Sequence, residues 1–305
     1  GILQSGCNVL NIGVVPSPIL YYATYKLDCS NGVIITGSHN PSEYNGFKII
    51  IDGKSLLSEE IQRLLLMIEQ DKFTKGLGSL SDISILEDYQ NKIVDDINLK
   101  RPLKIGIDCG NGAGSVHAKD TFEKLGCEVS DIYCELDGNF PNHHPDPSRP
   151  ENLKDLIDLV INSNLDIGLA FDGDADRLGV VSNKGKIIYP DMQMIIFAES
   201  ILNNNPKSKI VFDVKCSKLL SESIEKSGGI PIMCKTGHTF IKETLRDESA
   251  LLGGEMSGHI FFNDRWPGFD DGIYAAARLL EILSEQTESA GLFENLPHLY
   301  STPEI

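Results

Sequence analysis

The sequence has no run of about 18 or more apolar residues, so no segment reads as a membrane-spanning helix. Its opening, Gly1-Ile2-Leu3-Gln4-Ser5-Gly6, lacks the basic start and long apolar core of a secretory signal. The seven cysteines form no C-x-x-C pair. That argues against a zinc site and, with the odd count, against a disulfide framework. Cys109, Cys127 and Cys234 lie in or beside apolar strand-like runs, so buried, reduced thiols are expected. Positive charge is scarce: 27 Lys and Arg stand against 44 Asp and Glu, a formal charge of −17. Such a balance argues against nucleic acid and anionic membranes as partners. It leaves room for an anionic small molecule held by a few placed cations. A cytoplasmic, monomeric protein with a small-molecule partner is expected. An initiator Met is also missing, and Ser301-Thr302-Pro303-Glu304-Ile305 reads as a linker leading onward, so a fragment is expected.

What is present is ordinary in bulk: 305 residues, 41% hydrophobic and 23% charged. That is enough for two or three domains of about 100–150 residues each. Strand patterns over 9–15, 33–35 and 47–51 surround a helix begun by Pro16-Ser17-Pro18. Ser58 is a plausible N-cap for a helix to Gln70, and 75–81 reads as a connection between domains. Strands over 103–108, 128–134, 165–171, 178–182 and 186–189 alternate with helices over 88–97 and 151–162. A third segment alternates similarly, with strands over 209–214, 230–234, 250–253 and 260–262. Asp270 and Asp271 can cap a last helix, with Ile273, Ala276, Leu280 and Leu283 as one apolar stripe. Alternation of this kind predicts α/β layers. The segments share one pattern: a strand, a Gly-bearing polar loop, another strand. If they are like-folded and face inward, the loops 36–41, 172–177 and 254–259 meet in one cleft.

Each loop carries chemistry. Asp172, Asp174 and Asp176 alternate around Gly173, and three crowded carboxylates repel unless a cation sits between them. Hard oxygen donors in this number suit Mg²⁺. A calcium hand fails, because Arg177 stands where that loop needs Gly and Asn183 where it needs Glu. Phe171 and Leu178 bracket the loop with strand residues, which weighs against a solvated acidic turn. Arg177 can contact a phosphate. Ser38 alone is an ordinary turn residue, but His39 beside it and Lys48 on the next strand suggest a phosphorylated Ser near the metal. Glu255, Ser257 and His259 alternate in a Gly-flanked loop that can grip adjacent sugar hydroxyls or be a plain polar turn. Lys215 follows a strand, and Thr236-Gly237-His238 opens a helix where an anion is welcome. Residues 109–114 lack the Lys of a P-loop and read as a strand-to-helix turn. His143 and His144, in the Pro-rich loop 137–150, read as structural.

Thr36-Gly37-Ser38-His39-Asn40-Pro41, loop 172–177 and Gly254-Glu255-Met256-Ser257-Gly258-His259, in that order and spacing, resemble the α-D-phosphohexomutase superfamily. The resemblance runs over essentially the whole chain and is closest to its bacterial phosphomannomutase/phosphoglucomutase branch. It implies an isomerase that interconverts hexose 1-phosphate and hexose 6-phosphate through a phosphoserine and a hexose 1,6-bisphosphate. Ser38 is then the phosphoserine, holding Mg²⁺ with Asp172, Asp174 and Asp176. Lys48 and Arg177 match cations near the transferring group. Glu255 and Ser257 match the loop that grips the 3- and 4-hydroxyls. Lys215, Thr236, Gly237, His238 and His259 match substrate-contact and proton-transfer positions, with His39 beside the nucleophile. The implied fold is three like-folded mixed α/β domains around a cleft: a partial first domain over 1–82, a second over 83–188, a third over 189–298, then a linker over 299–305. The first part of domain 1 and the fourth domain, with its phosphate-binding loop, are missing from that pattern. The chain alone is therefore expected to be nearly inactive. Ala175 stands where Gly is frequent. A metal-dependent phosphomonoesterase and a non-catalytic sugar-phosphate-binding module are the alternatives.

Overall fold

The computed structural model describes residues 1–56 and 58–297; the linker expected over 299–305 lies outside the described residues. The first segment comprises β1 (Val9–Asn11), α1 (Ser17–Lys26), β2 (Gly32–Ile35), β3 (Phe47–Ile51), β4 (Lys54–Ser55), α2 (Ser58–Glu69) and β5 (Leu80–Asp82). β1 is shorter than the expected 9–15, because Gly13 turns the chain at φ +77° ahead of Pro16. It pairs in parallel with β5, which occupies the end of the expected connection. β5 escaped the sequence reading because Leu80-Ser81-Asp82 is short, polar and exposed. β2, β3 and β4 form an antiparallel sheet. α2 already includes Ser58, whose side chain lies outside the described set.

The second segment comprises α3 (Leu86–Asp96), β6 (Lys104–Asp108), a 3-10 turn (Ala113–Val116), α4 (Ala118–Lys124) and β7 (Glu128–Ile132). A second 3-10 turn (Pro150–Leu153) leads into α5 (Lys154–Asn162), so the helix expected from 151 begins as a tighter turn. β8 (Ile167–Phe171), β9 (Leu178–Ser182) and β10 (Ile187–Ile188) complete a five-stranded sheet ordered β10-β9-β8-β6-β7. Every residue of β8 and β9 is buried, as strands covered by helices on both faces must be.

The third segment comprises α6 (Pro190–Asn204), β11 (Lys209–Asp213), α7 (Lys218–Lys226), β12 (Ile230–Cys234), α8 (His238–Asp247), β13 (Leu252–Gly254), β14 (Ile260–Phe262), α9 (Gly272–Ser284) and α10 (Ser289–Glu294). Its sheet, β12-β11-β13-β14, repeats the order β7-β6-β8-β9. In both sheets the last pair is antiparallel. β2 and β3 form the equivalent antiparallel pair in the first segment. The predicted α/β architecture therefore holds, and each polar loop joins such a pair.

α9 departs from the expected single stripe. Residues 272–280 are buried on all sides, because the helix packs against β8 and β9 as well as α6 and β14. Of its two candidate caps, Asp271 takes the role, accepting from Tyr274 N at 2.9 Å. Asp270 instead pairs with Lys242 at 2.7 Å. An aromatic cluster joins the segments beside this helix. Trp266 stacks on Tyr274 with centroids 4.1 Å apart, and Tyr22 lies parallel on it at 6.1 Å. Tyr89 meets Trp266 edge-on and donates its hydroxyl to Asp271 at 2.8 Å. Each such ring pair contributes about 0.5–1.5 kcal/mol beyond its burial. All four rings are buried, so the segments pack as one body.

Candidate active site

Loop 172–177 leaves β8 and returns on β9, holding Asp172, Asp174 and Asp176 almost wholly out of water. Their oxygens lie within 4.8 Å of one another. Ala175 bends the loop at φ +56°, a left-handed conformation that favours Gly. Gly173 is required by contact: a Cβ there would meet the Ser38 carbonyl oxygen at 2.1 Å. The turn 109–114 leads from β6 into the 3-10 turn, as expected, and it braces this loop. Ala113 N donates to Gly173 O at 2.8 Å. His143 pairs with Asp108 at 2.9 Å.

Ser38 sits across from Gly173, itself left-handed at φ +49°. Its amide donates to Thr36 Oγ1 at 2.8 Å, which fixes the turn. Its hydroxyl donates to Asp172 Oδ2 at 3.2 Å and lies 3.0 Å from His39 Nδ1. Three further contacts tie the first segment to Asp174 Oδ2: Ser17 Oγ at 2.5 Å, Lys48 Nζ at 2.6 Å and Thr36 Oγ1 at 3.1 Å. Lys48 also binds Asp176. Ser17 was not singled out from sequence; a Ser between two prolines at a helix start was the available sign.

The third loop docks on the second through its backbone. Arg177 and His259 form an antiparallel bridge, and Leu178 N donates to Gly258 O at 3.1 Å. The buried His259 ring reaches Asp176 at 3.2 Å, Glu255 at 3.0 Å and Ser257 Oγ at 3.0 Å. Burial opposes its charge, but Asp176 and Glu255 outweigh burial and raise the imidazole to about 10. As an imidazolium it hydrogen-bonds Glu255 and forms an ion pair with Asp176. Arg177 Nε approaches the same ring at 3.3 Å and lies 3.6 Å from Asp172 Oδ2. The helix start at 236–238 is filled from within: Gly237 N donates to Glu255 Oε1 at 2.5 Å. His238 Nδ1 lies 3.4 Å from Asp270 and its ring stacks on His259.

Asp213, at the end of β11, was also missed. It accepts from Thr236 Oγ1 at 2.9 Å and from Met256 N at 3.2 Å, joining the helix start to the third loop. Lys215 is exposed, and among the described residues its side chain makes no hydrogen bond or ion pair with the other candidates.

The electrostatics ask for a cation. Burial, then the charges of Asp176 and Asp174, hold the Asp172 carboxyl well above the usual range. Asp176 moves well below it: burial opposes its charge, but Lys48 and His259 prevail. Burial also makes His39 harder to protonate, and Arg177 adds to that. One oxygen each of Asp174 and Asp176 is buried without a hydrogen-bond partner. Three hard carboxylates with orphaned oxygens and a nearby hydroxyl fit a small divalent cation such as Mg²⁺.

Residues 1–75, 87–185 and 189–300 match the family profiles for phosphoglucomutase/phosphomannomutase alpha/beta/alpha domains I, II and III. The chain is 53% identical over 306 residues to a Pseudomonas aeruginosa phosphomannomutase/phosphoglucomutase, covering 100% of this chain and 66% of that protein. It is 52% identical over 307 residues to a Neisseria gonorrhoeae phosphoglucomutase, covering 100% and 67%. The crystal structure of a Burkholderia thailandensis phosphoglucomutase/phosphomannomutase family protein superposes with a TM-score of 0.97 at 46% identity, over 99% of this chain and 68% of that one. The chain thus spans about two thirds of the length of the curated relatives it matches. It belongs to the phosphoglucomutase/phosphomannomutase family.

Proposed function

We propose that the protein is a phosphohexomutase, interconverting hexose 1-phosphate and hexose 6-phosphate with Ser38 as the phosphoryl carrier. The carrying observation is the Ser38 hydroxyl, 3.2 Å from Asp172 at the mouth of three buried carboxylates. Asp172, Asp174 and Asp176, with the Ser38 phosphate, would hold Mg²⁺. That ion supplies charge neutralisation of the transferring phosphoryl group. Lys48 and Arg177 contribute fixed positive charge beside the three carboxylates. Glu255 and Ser257 orient the sugar through adjacent hydroxyls. His259, His238, Lys215 and His39 are the groups available for proton transfer and phosphate contact, and Thr236 and Gly237 line the same approach. A hexose 1,6-bisphosphate links the half-reactions: Ser38 gives its phosphoryl group to one end of the sugar phosphate, and the reoriented sugar returns the other. Domain boundaries near 82/83 and 188/189 follow from the loop repeat.

Contacts to the 3- and 4-hydroxyls are blind to C2, so glucose and mannose phosphates both serve. The test is a coupled assay of the full-length protein on glucose 1-phosphate and mannose 1-phosphate. Isomerised sugar phosphate is expected from both. Release of free phosphate instead would replace the mutase reading with phosphomonoesterase chemistry. Retention of function in Ser38→Ala would leave only a binding module. The 305-residue chain alone is expected to turn over far more slowly than the full-length protein.

A further inference from the structure

Outside the cleft, two sulfurs lie in unusual proximity. Cys109 immediately follows β6, is wholly buried and begins the turn that braces Gly173. Cys134 follows β7 and is only half-buried. Its thiol donates to Cys109 Sγ at 3.1 Å. The contact is built by the backbone. Tyr133, immediately before Cys134, is left-handed at φ +54°, a costly conformation for an aromatic residue. Tyr133 O is fixed by Asn111 N at 2.8 Å, two residues beyond Cys109. All seven cysteines are free in the structure; Cys109 and Cys127 are buried as expected, whereas Cys234 is only half-buried.

We propose that Cys109 and Cys134 form an oxidisable dithiol, a modification site that closes to a disulfide under peroxide. Cys134 is the entry point because it is the accessible partner. Its thiolate attacks one oxygen of hydrogen peroxide, giving a sulfenic acid and hydroxide. Cys109 then attacks that sulfur. Its thiol proton joins the departing hydroxide as water, and the S–S bond forms. Overall, two thiols lose two electrons and two protons, and one peroxide becomes two waters. The sulfurs close from 3.1 Å to about 2 Å. The bridge ties the turn that donates to Gly173 O to the end of β7. It is independent of the proposed mutase chemistry, since neither cysteine touches the candidate ligands.

The test uses protein carrying Cys7→Ser and Cys29→Ser, which removes the two exposed thiols. After treatment with hydrogen peroxide and alkylation in denaturant, peptide mapping should find Cys109 joined to Cys134. Dithiothreitol should restore both alkylatable thiols, and Cys134→Ser should abolish the link. The proposal is overturned if both thiols remain alkylatable after peroxide. It is overturned equally if Cys134 advances to sulfinic acid while Cys109 stays free, or if the bridge forms to another cysteine.

Discussion

The β2–β3 pair that carries Ser38 and the β8–β9 pair that carries the three aspartates have the same antiparallel form and opposite surroundings. β8 and β9 are buried at every residue, inside a five-stranded sheet with α9 packed behind. On the β2–β3 side, Val33, Ile35, Phe47 and Ile51 are exposed, as are Ile61, Leu64, Leu65 and Leu66 of α2. Charges that repel one another sit where packing can hold them. The hydroxyl sits on the more lightly packed pair, joined to the other through Asp174 and the close approach of Gly173. The candidate site therefore depends less on the local stability of the Ser38 loop than on the contacts that cross between the two pairs.

Removing the central contact should have the largest effect. Asp174→Ala leaves Lys48 and Ser17 without their shared acceptor and opens the carboxylate cluster. Lys48 keeps Asp176 as a partner, so the loss stays at or below the low end for a broken buried ion pair, about 3 kcal/mol, to be read by urea denaturation. In the full-length enzyme, turnover should fall on the order of a thousand-fold or more. Gly173→Ala should come next. Its Cβ collides with backbone rather than with a flexible side chain, so the two loops must part. A loss of about 1–3 kcal/mol is expected, with turnover falling further than stability explains. Equal stability and activity for Gly173→Ala would show that the approach of the loops is incidental.

The smallest effect concerns the scaffold behind β8 and β9, and it depends on pH. Burial raises the Asp271 carboxyl to about 7, and the charge of Asp270 adds to it. Between the ordinary carboxylate range near about 4 and that value, the folded chain holds a proton that the unfolded chain has released. The Asp271 contribution to stability is thus full at low pH and declines as pH rises through this window. Asp271→Asn keeps the cap to Tyr274 and cannot ionise. Its stability relative to the parent should therefore improve from below about pH 5 to above about pH 8. Burial lowers His117 to about 4, which gives the opposite slope, but that slope is common to both proteins and cancels in the difference. A difference that stays flat with pH would mean Asp271 is ionised throughout.

The site was legible in the sequence where chemistry is local. A strand, a polar loop with Gly and a second strand identified all three loops, and Asp172, Asp174 and Asp176 declared themselves by alternation. Contacts made across segments were not legible. Ser17 and Asp213 each look like ordinary residues at the end of an element, and their importance comes from what the fold brings to them. α9 was read as amphipathic because its apolar residues include a helical stripe. Its remaining small residues, Ala275 and Ala277, are buried because a second sheet covers them. The 9–15 strand was over-read because a largely apolar stretch does not reveal a left-handed Gly. Short, exposed β5 carries too little pattern for any reading from sequence.

The central claim is that Ser38 carries the phosphoryl group. Full-length protein and its Ser38→Gly variant would be incubated with Mg²⁺ and glucose 1,6-bisphosphate, then mapped by mass spectrometry. Glycine suits the left-handed backbone at this position, so the variant should fold as well as the parent. The account predicts one phosphoryl group on Ser38 in the parent and none in the variant. A parent protein that stays unmodified while isomerising hexose phosphates, or a variant that is modified and active, would contradict it.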